Sequence, residues 1–199
     1  MDAKRVEAYG QAVRELRIQL RTGACPPGAR LSAPAIAADL KLSPTPVREA
    51  LARLAGEGLL EERRGDGFFV WQLTACDVTH LYSLIHAYIS IATGRELRFP
   101  DVAEGARTCD AVSHTQNLFD QWVRSGGSRM LDQAYARTQA QLGAVRRLEQ
   151  DFLRDLDREA DDLAALPRIP DLASRRRVLR VFFERRLAIA DRLVARLVQ

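Results

Sequence analysis

The stretch from Ser32 to Gln72 constrains this chain more than any other. Ser32 caps a short helix that tolerates Pro34 in its first turn and turns Ile36, Ala37 and Leu40 inward. Ser43-Pro44-Thr45-Pro46 opens a second helix, because a proline in a first turn gives up only an N–H that has no helical partner. Val47, Ala50, Leu51 and Leu54 supply its apolar stripe, and Gly56 and Gly58 close it. Behind it, the extended runs Leu59 to Arg63 and Phe68 to Gln72 flank Arg64-Gly65-Asp66-Gly67, where Asp-Gly supports the positive φ of a hairpin turn. Two short helices joined by a tight turn form a helix-turn-helix, and a hairpin directly behind it forms a wing.

The flanking sequence is helical. Val6, Tyr9, Val13, Leu16 and Leu20 recur at spacings of three and four, marking one face of a helix that ends before Gly23 and Pro26-Pro27-Gly28. From Thr74 onward the period stays helical. The expected helices run from Ala75 to Arg95, from Asp101 to Arg124, from Ser128 to about Leu166 with a break near Gly143, and from Asp171 to Val198. The expected fold is mainly α: a winged helix-turn-helix over residues 1–73 with a small β-hairpin wing, then an all-α bundle over 74–199.

Composition narrows the function classes. The 199 residues are 47% hydrophobic, which fits a globular chain rather than a disordered one. No apolar run approaches the roughly 20 residues of a membrane helix, and the charged start MDAKRVEAYG lacks the apolar core of a secretory signal. Three dispersed cysteines, Cys25, Cys76 and Cys109, suit reduced thiols in a cytoplasmic protein, and no CxxC pair suggests zinc. The net charge of +4 says little by itself, because residues 1–72 hold eleven Lys and Arg against nine Asp and Glu. Any case for DNA must rest on where the charges sit.

A recognition helix enters the major groove by its N-terminal end, which needs small polar groups and unpaired N–H groups for phosphate, then an arginine. Ser43, Thr45 and Arg48 meet that need, with Glu49 beside Arg48. Arg63, Arg64 and Gly67 put positive charge and an unhindered backbone at the wing tip, and Lys4 and Arg5 offer further phosphate contacts. The plainer reading pairs Arg48 with Glu49 or Asp39, and Arg63 and Arg64 with Glu61 and Glu62.

On these residues, the segment PPGARLSAPAIAADLKLSPTPVREALARLAGEGLLEERRGDGFFV resembles the winged helix of GntR-type regulators, over about residues 8 to 71. The resemblance rests on Thr45-Pro46-Val47-Arg48-Glu49-Ala50-Leu51, then Gly58-Leu59 and Gly67. It implies DNA roles for Ser43, Thr45, Arg48 and Gly67. Pro34 and Pro44 stand where the family often has arginine, so the operator or the balance of contacts is expected to differ.

Leu73-Thr74-Ala75-Cys76-Asp77-Val78, then Leu81-Tyr82, resembles the start of the FadR-type helical domain. That resemblance implies a homodimer, an effector of the organic-acid class and, in many members, a metal held by one Asp and three His. The Asp-x-x-Phe-His motif reads here Asp132-Gln133-Ala134-Tyr135-Ala136, and no His follows His114. No metal and no other cofactor is therefore expected. His80, His86 and His114 read as surface or bundle residues, and Cys76 with His80 lacks a third group to orient a nucleophile and base, so no enzyme is expected. Tyr82, Tyr88, Phe119, Trp122, Tyr135 and Phe152 read as cavity lining or as ordinary core. The acidic run Glu149 to Asp162 and the basic run Arg175 to Arg186 pair within the bundle, pair across a dimer, or form two solvated faces. The leading expectation is a cytoplasmic, homodimeric repressor or activator on a palindromic double-stranded DNA operator, controlled by a metabolite. The rival is a regulator whose helical domain serves only dimerisation or protein contact. A small enzyme is the remote alternative.

Overall fold

The computed structural model describes residues 3–100 and 109–197. The chain begins with helix α1 (Ala3–Arg21), followed by the two-residue strand β1 (Arg30–Leu31), α2 (Ala33–Leu40) and α3 (Pro44–Gly56). Strands β2 (Leu60–Arg63) and β3 (Gly67–Val70) complete an antiparallel sheet of order β1-β3-β2. Arg63 faces Gly67 and Leu60 faces Val70 across the hairpin, while Arg30 pairs with Phe69 on the other side of β3. The sequence reading included the hairpin but not β1.

Local chemistry sets the helix ends. The Ser32 hydroxyl accepts the Ala35 N–H at 3.4 Å. Lys41 takes a left-handed conformation (φ 56°) to turn the chain into α3, which Pro44 and Pro46 open as the sequence indicated. Pro46, Val47, Ala50, Leu51 and Leu54 are buried against Ala12, Leu16 and Leu20 of α1. Each fully buried leucine of this set contributes about 1.5–3 kcal/mol.

Residues 71–74 carry neither helix nor strand. A capping box then starts α4 (Ala75–Thr93): Thr74 Oγ1 accepts the Asp77 N–H at 3.2 Å and Asp77 accepts the Thr74 N–H at 2.8 Å. The bundle continues with α5 (Ala111–Ser125), α6 (Arg129–Arg147), α7 (Glu149–Phe152), α8 (Leu156–Ala164), a 3₁₀ turn at Leu166–Arg168, α9 (Leu172–Leu187) and α10 (Ala190–Leu197). Tyr82, Ile85, Ile89, Leu118, Phe119, Trp122, Leu142, Val145, Phe182 and Phe183 form its core.

Three expected boundaries differ. The second bundle helix was expected from Asp101. Residues 101–108 lie outside the described residues, and α5 starts at Ala111, capped by Asp110, which accepts the Ser113 N–H at 2.9 Å. The break expected at Gly143 falls instead at Leu148 and Leu153–Asp155, with Asp155 in a left-handed conformation (φ 61°). The last helix divides at Ala188–Ile189.

Gly143 stays helical for a packing reason. A Cβ there would lie 2.0 Å from the Leu20 carbonyl oxygen and 2.6 Å from that of Arg21. A Cβ on Gly23 would lie 2.6 Å from the Gly143 carbonyl oxygen. The end of α1 thus rests backbone on backbone against the C-terminal part of α6, and Ala140 of α6 joins the core around α1 and α3. Polar contacts surround this joint. Arg21 Nη2 donates to Asp120 at 2.7 Å, Gln141 Nε2 donates to the Gly58 carbonyl at 3.1 Å, and Arg147 Nη1 reaches the Gly23 carbonyl at 3.5 Å.

Candidate nucleic-acid interface

The N-terminal end of α3 faces solvent. Ser43 occupies the cap position with extended backbone, yet its hydroxyl makes no capping bond and is exposed, as is Thr45 in the first turn. Pro44 and Pro46 carry no N–H, so the donors here are fewer than in an ordinary first turn. Arg48 is exposed and makes no ion pair among the described residues. Its expected neighbour Glu49 is held by Arg5 of α1. Arg5 therefore sits in an ion pair with the recognition helix, and Arg48 keeps all its donors.

The wing is built on two glycines. Gly65 (φ 84°) and Gly67 (φ 104°) hold backbone angles that side chains with a Cβ rarely adopt, and the Asp66 N–H closes the turn on the Arg63 carbonyl at 3.0 Å. Arg64 is exposed at the tip with no ion pair among the described residues. Arg63 behaves as the plainer reading had it. Its guanidinium donates to both Glu61 oxygens at 2.9 and 3.0 Å and lies 4.3 Å from the Phe69 ring centroid. The two side chains perturb each other: hydrogen bonding to Arg63 lowers the Glu61 pKa, and the same bond raises that of Arg63. Arg30 went unremarked in the sequence. β1 carries it to within about 4 Å of where a Gly67 Cβ would stand, which adds a cation beside the wing turn. No local pattern announces this, because the pairing of Arg30–Leu31 with β3 spans about 40 residues.

The helical half holds the other candidates apart. Cys76 Sγ lies 3.7 Å from His80 Nδ1 at the surface, while the nearby Asp77 carboxylate is engaged by Thr74. His86 stacks on Phe183 with ring centroids 4.7 Å apart, and its burial lowers its pKa from the usual 6.5. A metal of the kind implied by resemblance does not fit: Ala136 offers no donor beside Asp132, and no three His, Cys, Asp or Glu side chains converge among the described residues.

Two acidic and two basic residues of these runs meet inside the bundle, while Asp151, Asp155, Asp162, Arg176, Arg177 and Arg180 stay at the solvated surface. Arg186 donates to Glu149 at 2.8 and 3.0 Å and pairs with Glu159 at 2.7 Å. Tyr82 donates to Glu149 at 2.5 Å, and Arg185 to Glu159 at 2.9 Å. Burial works against the Arg186 charge, but Glu149 and Glu159 outweigh it and hold its pKa above the ordinary value. Burial raises the Tyr82 pKa as well. The cavity beside this network, lined by Tyr82, Phe119, Arg146 and Phe182, measures about 10 Å³, room for one water at most.

Two short helices and a glycine-built wing define a fold of the winged helix-turn-helix class, with an unpaired arginine at an exposed helix start. Residues 8–70 match the family described as bacterial regulatory proteins, gntR family. A regulator in the TAR-I ttuE-ttuC' intergenic region of Agrobacterium vitis is 34% identical over 93 residues, 47% of this chain and 53% of that protein. The Nta operon transcriptional regulator of Aminobacter aminovorans is 47% identical over 58 residues, 29% of this chain and 28% of its own. The chain thus spans about half or less of the curated relatives it matches, and these are named as transcriptional regulators, not enzymes. Among solved structures, E. coli McbR/YncC superposes with a TM-score of 0.67 at 19% identity over 96% of this chain and 98% of that one. A regulator of Rhodococcus sp. RHA1 gives 0.64 at 22% over 92% and 96%. These likenesses establish the two-part fold. Among the described residues no helix is long and apolar enough to cross a membrane.

Proposed function

We propose that this chain is a sequence-specific transcription regulator that binds a palindromic operator as a homodimer, with residues 1–73 reading DNA and residues 74–199 dimerising and sensing a metabolite in the cytoplasm. The observation that carries the reading is the unpaired Arg48 one turn into a helix whose start exposes Ser43 and Thr45. Arg48 would read a base or grip a phosphate, Arg64 and Gly67 would follow the backbone into the adjacent groove, and Arg63 would add charge from its place on Phe69. Sequencing DNA fragments selected by the purified protein should return one two-fold symmetric motif. Arg48→Ala should weaken binding to it by about tenfold or more, and unchanged affinity in a mobility-shift titration would remove Arg48 from the interface.

An organic-acid effector finds an anchor in Arg146. Its Nη1 is buried without a hydrogen-bond partner, and it borders a cleft of about 340 Å³ with Thr22, Ser113, Gln116 and Arg147. A carboxylate would supply the missing acceptor. The packed bundle interior favours the second reading, in which the helical part serves only dimerisation or protein contact. A thermal-shift screen with organic acids, sugars and amino acids separates the two.

A further inference from the structure

The joint between α1 and α6 holds a second cavity of opposite character. It measures about 210 Å³ and is lined by Arg21, Asp120, Arg124, Asp132, Tyr135, Ala136 and Gln139. Asp120 accepts from Arg21 at 2.7 Å and from the Tyr135 hydroxyl at 3.0 Å, with Arg124 3.6 Å away. These bonds fix the hydrogen-bond direction around it. An ionised carboxylate only accepts, so Tyr135 spends its single proton on Asp120. The Tyr135 oxygen can then only accept from Gln139, which must present its Nε2. The Gln139 Oε1 is left over, and Gln139 is 1% exposed. Asp132 Oδ1 is also buried without a partner.

Two buried acceptors without donors therefore border one cavity, and no buried side-chain donor without an acceptor borders it among the described residues. Leaving such groups unsatisfied is costly, so the cavity favours an occupant rich in N–H donors. Arg21 donates to Asp120 and Arg124 stands 3.6 Å from it, while no ion pair reaches Asp132 among the described residues. A hard divalent ion would want a larger set of oxygen ligands than Asp132 and Gln139 provide.

We propose that this cavity binds a small organic cation through a primary ammonium group, which donates to Asp132 and to the Gln139 carbonyl oxygen. The site adds to the regulator reading and rests on it only for its consequence. Arg21 belongs to α1, which packs under the recognition helix, while Asp120 belongs to the bundle. A cation beside Asp132 repels Arg21 and weakens the Arg21–Asp120 tie between the two halves, so occupancy alters how the DNA-binding module is held.

The test is calorimetric titration of the full chain with n-butylammonium, with n-butanol and butyrate as the neutral and anionic counterparts, and with magnesium and calcium chloride. Saturable heat with n-butylammonium alone is expected. Asp132→Asn should reduce affinity by at least about tenfold, as loss of a charge-assisted hydrogen bond does. Ala136→Phe, which fills the cavity from its exposed rim, should abolish binding while circular dichroism shows the fold intact. No saturable heat, equal heat with n-butanol, or binding of the divalent ions alone would each overturn the proposal. Operator binding is measured separately with the selected fragment. A protein that titrates n-butylammonium but retains no DNA keeps this site and loses the regulator reading; one that retains DNA without titrating does the reverse.

Discussion

At the scale of the residue, pairing decides which cations are available. Arg48 and Arg64 are exposed without an ion pair among the described residues, whereas Arg5, Arg53 and Arg63 are tied to Glu49, Glu57 and Glu61. The sequence makes all of these look alike, because an arginine beside glutamates says nothing about which of them folds back. Arg64→Ala is therefore expected to weaken DNA binding evenly across sequences and to lower the salt-dependence slope by about one, read from mobility shifts at several salt concentrations. Arg186 is the opposite case, a surface cation by its place in an arginine-rich run but 2% exposed in the fold. Its removal leaves the buried Glu149 charge with only the Tyr82 hydroxyl and leaves Glu159 to Arg185. Arg186→Ala should cost on the order of 3–5 kcal/mol, measured by urea unfolding; a loss below about 1 kcal/mol would mean the network is already hydrated.

At the scale of the element, the helices around the recognition helix were legible because every signal agreed: cap, proline, apolar stripe and closing glycine point to the same boundaries. The strand β1 was not, since two residues have no period to read. Gly143 misled for a different reason. Glycine normally weakens a helix, yet here its missing Cβ is what lets α1 approach. Gly143→Ala should raise intrinsic helix propensity and still lower the melting temperature, with faster proteolysis between α3 and α4; an unchanged or higher melting temperature would contradict the close contact. His86 gives α4 a pH dependence. Burial against Phe183 keeps its folded pKa below 6.5, so the unfolded chain binds the proton more readily. The stability contribution is full above pH 6.5 and is lost as the pH falls toward the folded pKa. His86→Phe should flatten that part of the stability profile, monitored by thermal melts between pH 7.5 and 5.

At the scale of the whole molecule, the succession of a winged helix-turn-helix and a helical part was legible as a change of period, which any long amphipathic run displays. The cavity at the joint was not, because its walls come from the ends of three helices and only folding brings Arg21 and Asp120, 99 residues apart, together. The proposed two-fold reading of DNA makes a further demand on the assembly. Sedimentation of the free protein at micromolar concentration should give twice the 22.3 kDa chain mass, and a monomer that stays monomeric on the selected fragment would end the palindrome argument.

The contact between Gly23 and Gly143 then acquires a geometric meaning. With no side chains between the two backbones, the joint has no cushion to absorb a change in spacing. In a dimer, any rotation of α1 on α6 is multiplied by the lever arm out to α3. In the proposed dimer, the separation of the two α3 helices, and hence the half-site interval such a pair would tolerate, would be gauged by a gap narrower than one methyl group. Operators with different spacers would then become accessible by altering those two glycines, without touching any residue proposed to meet DNA.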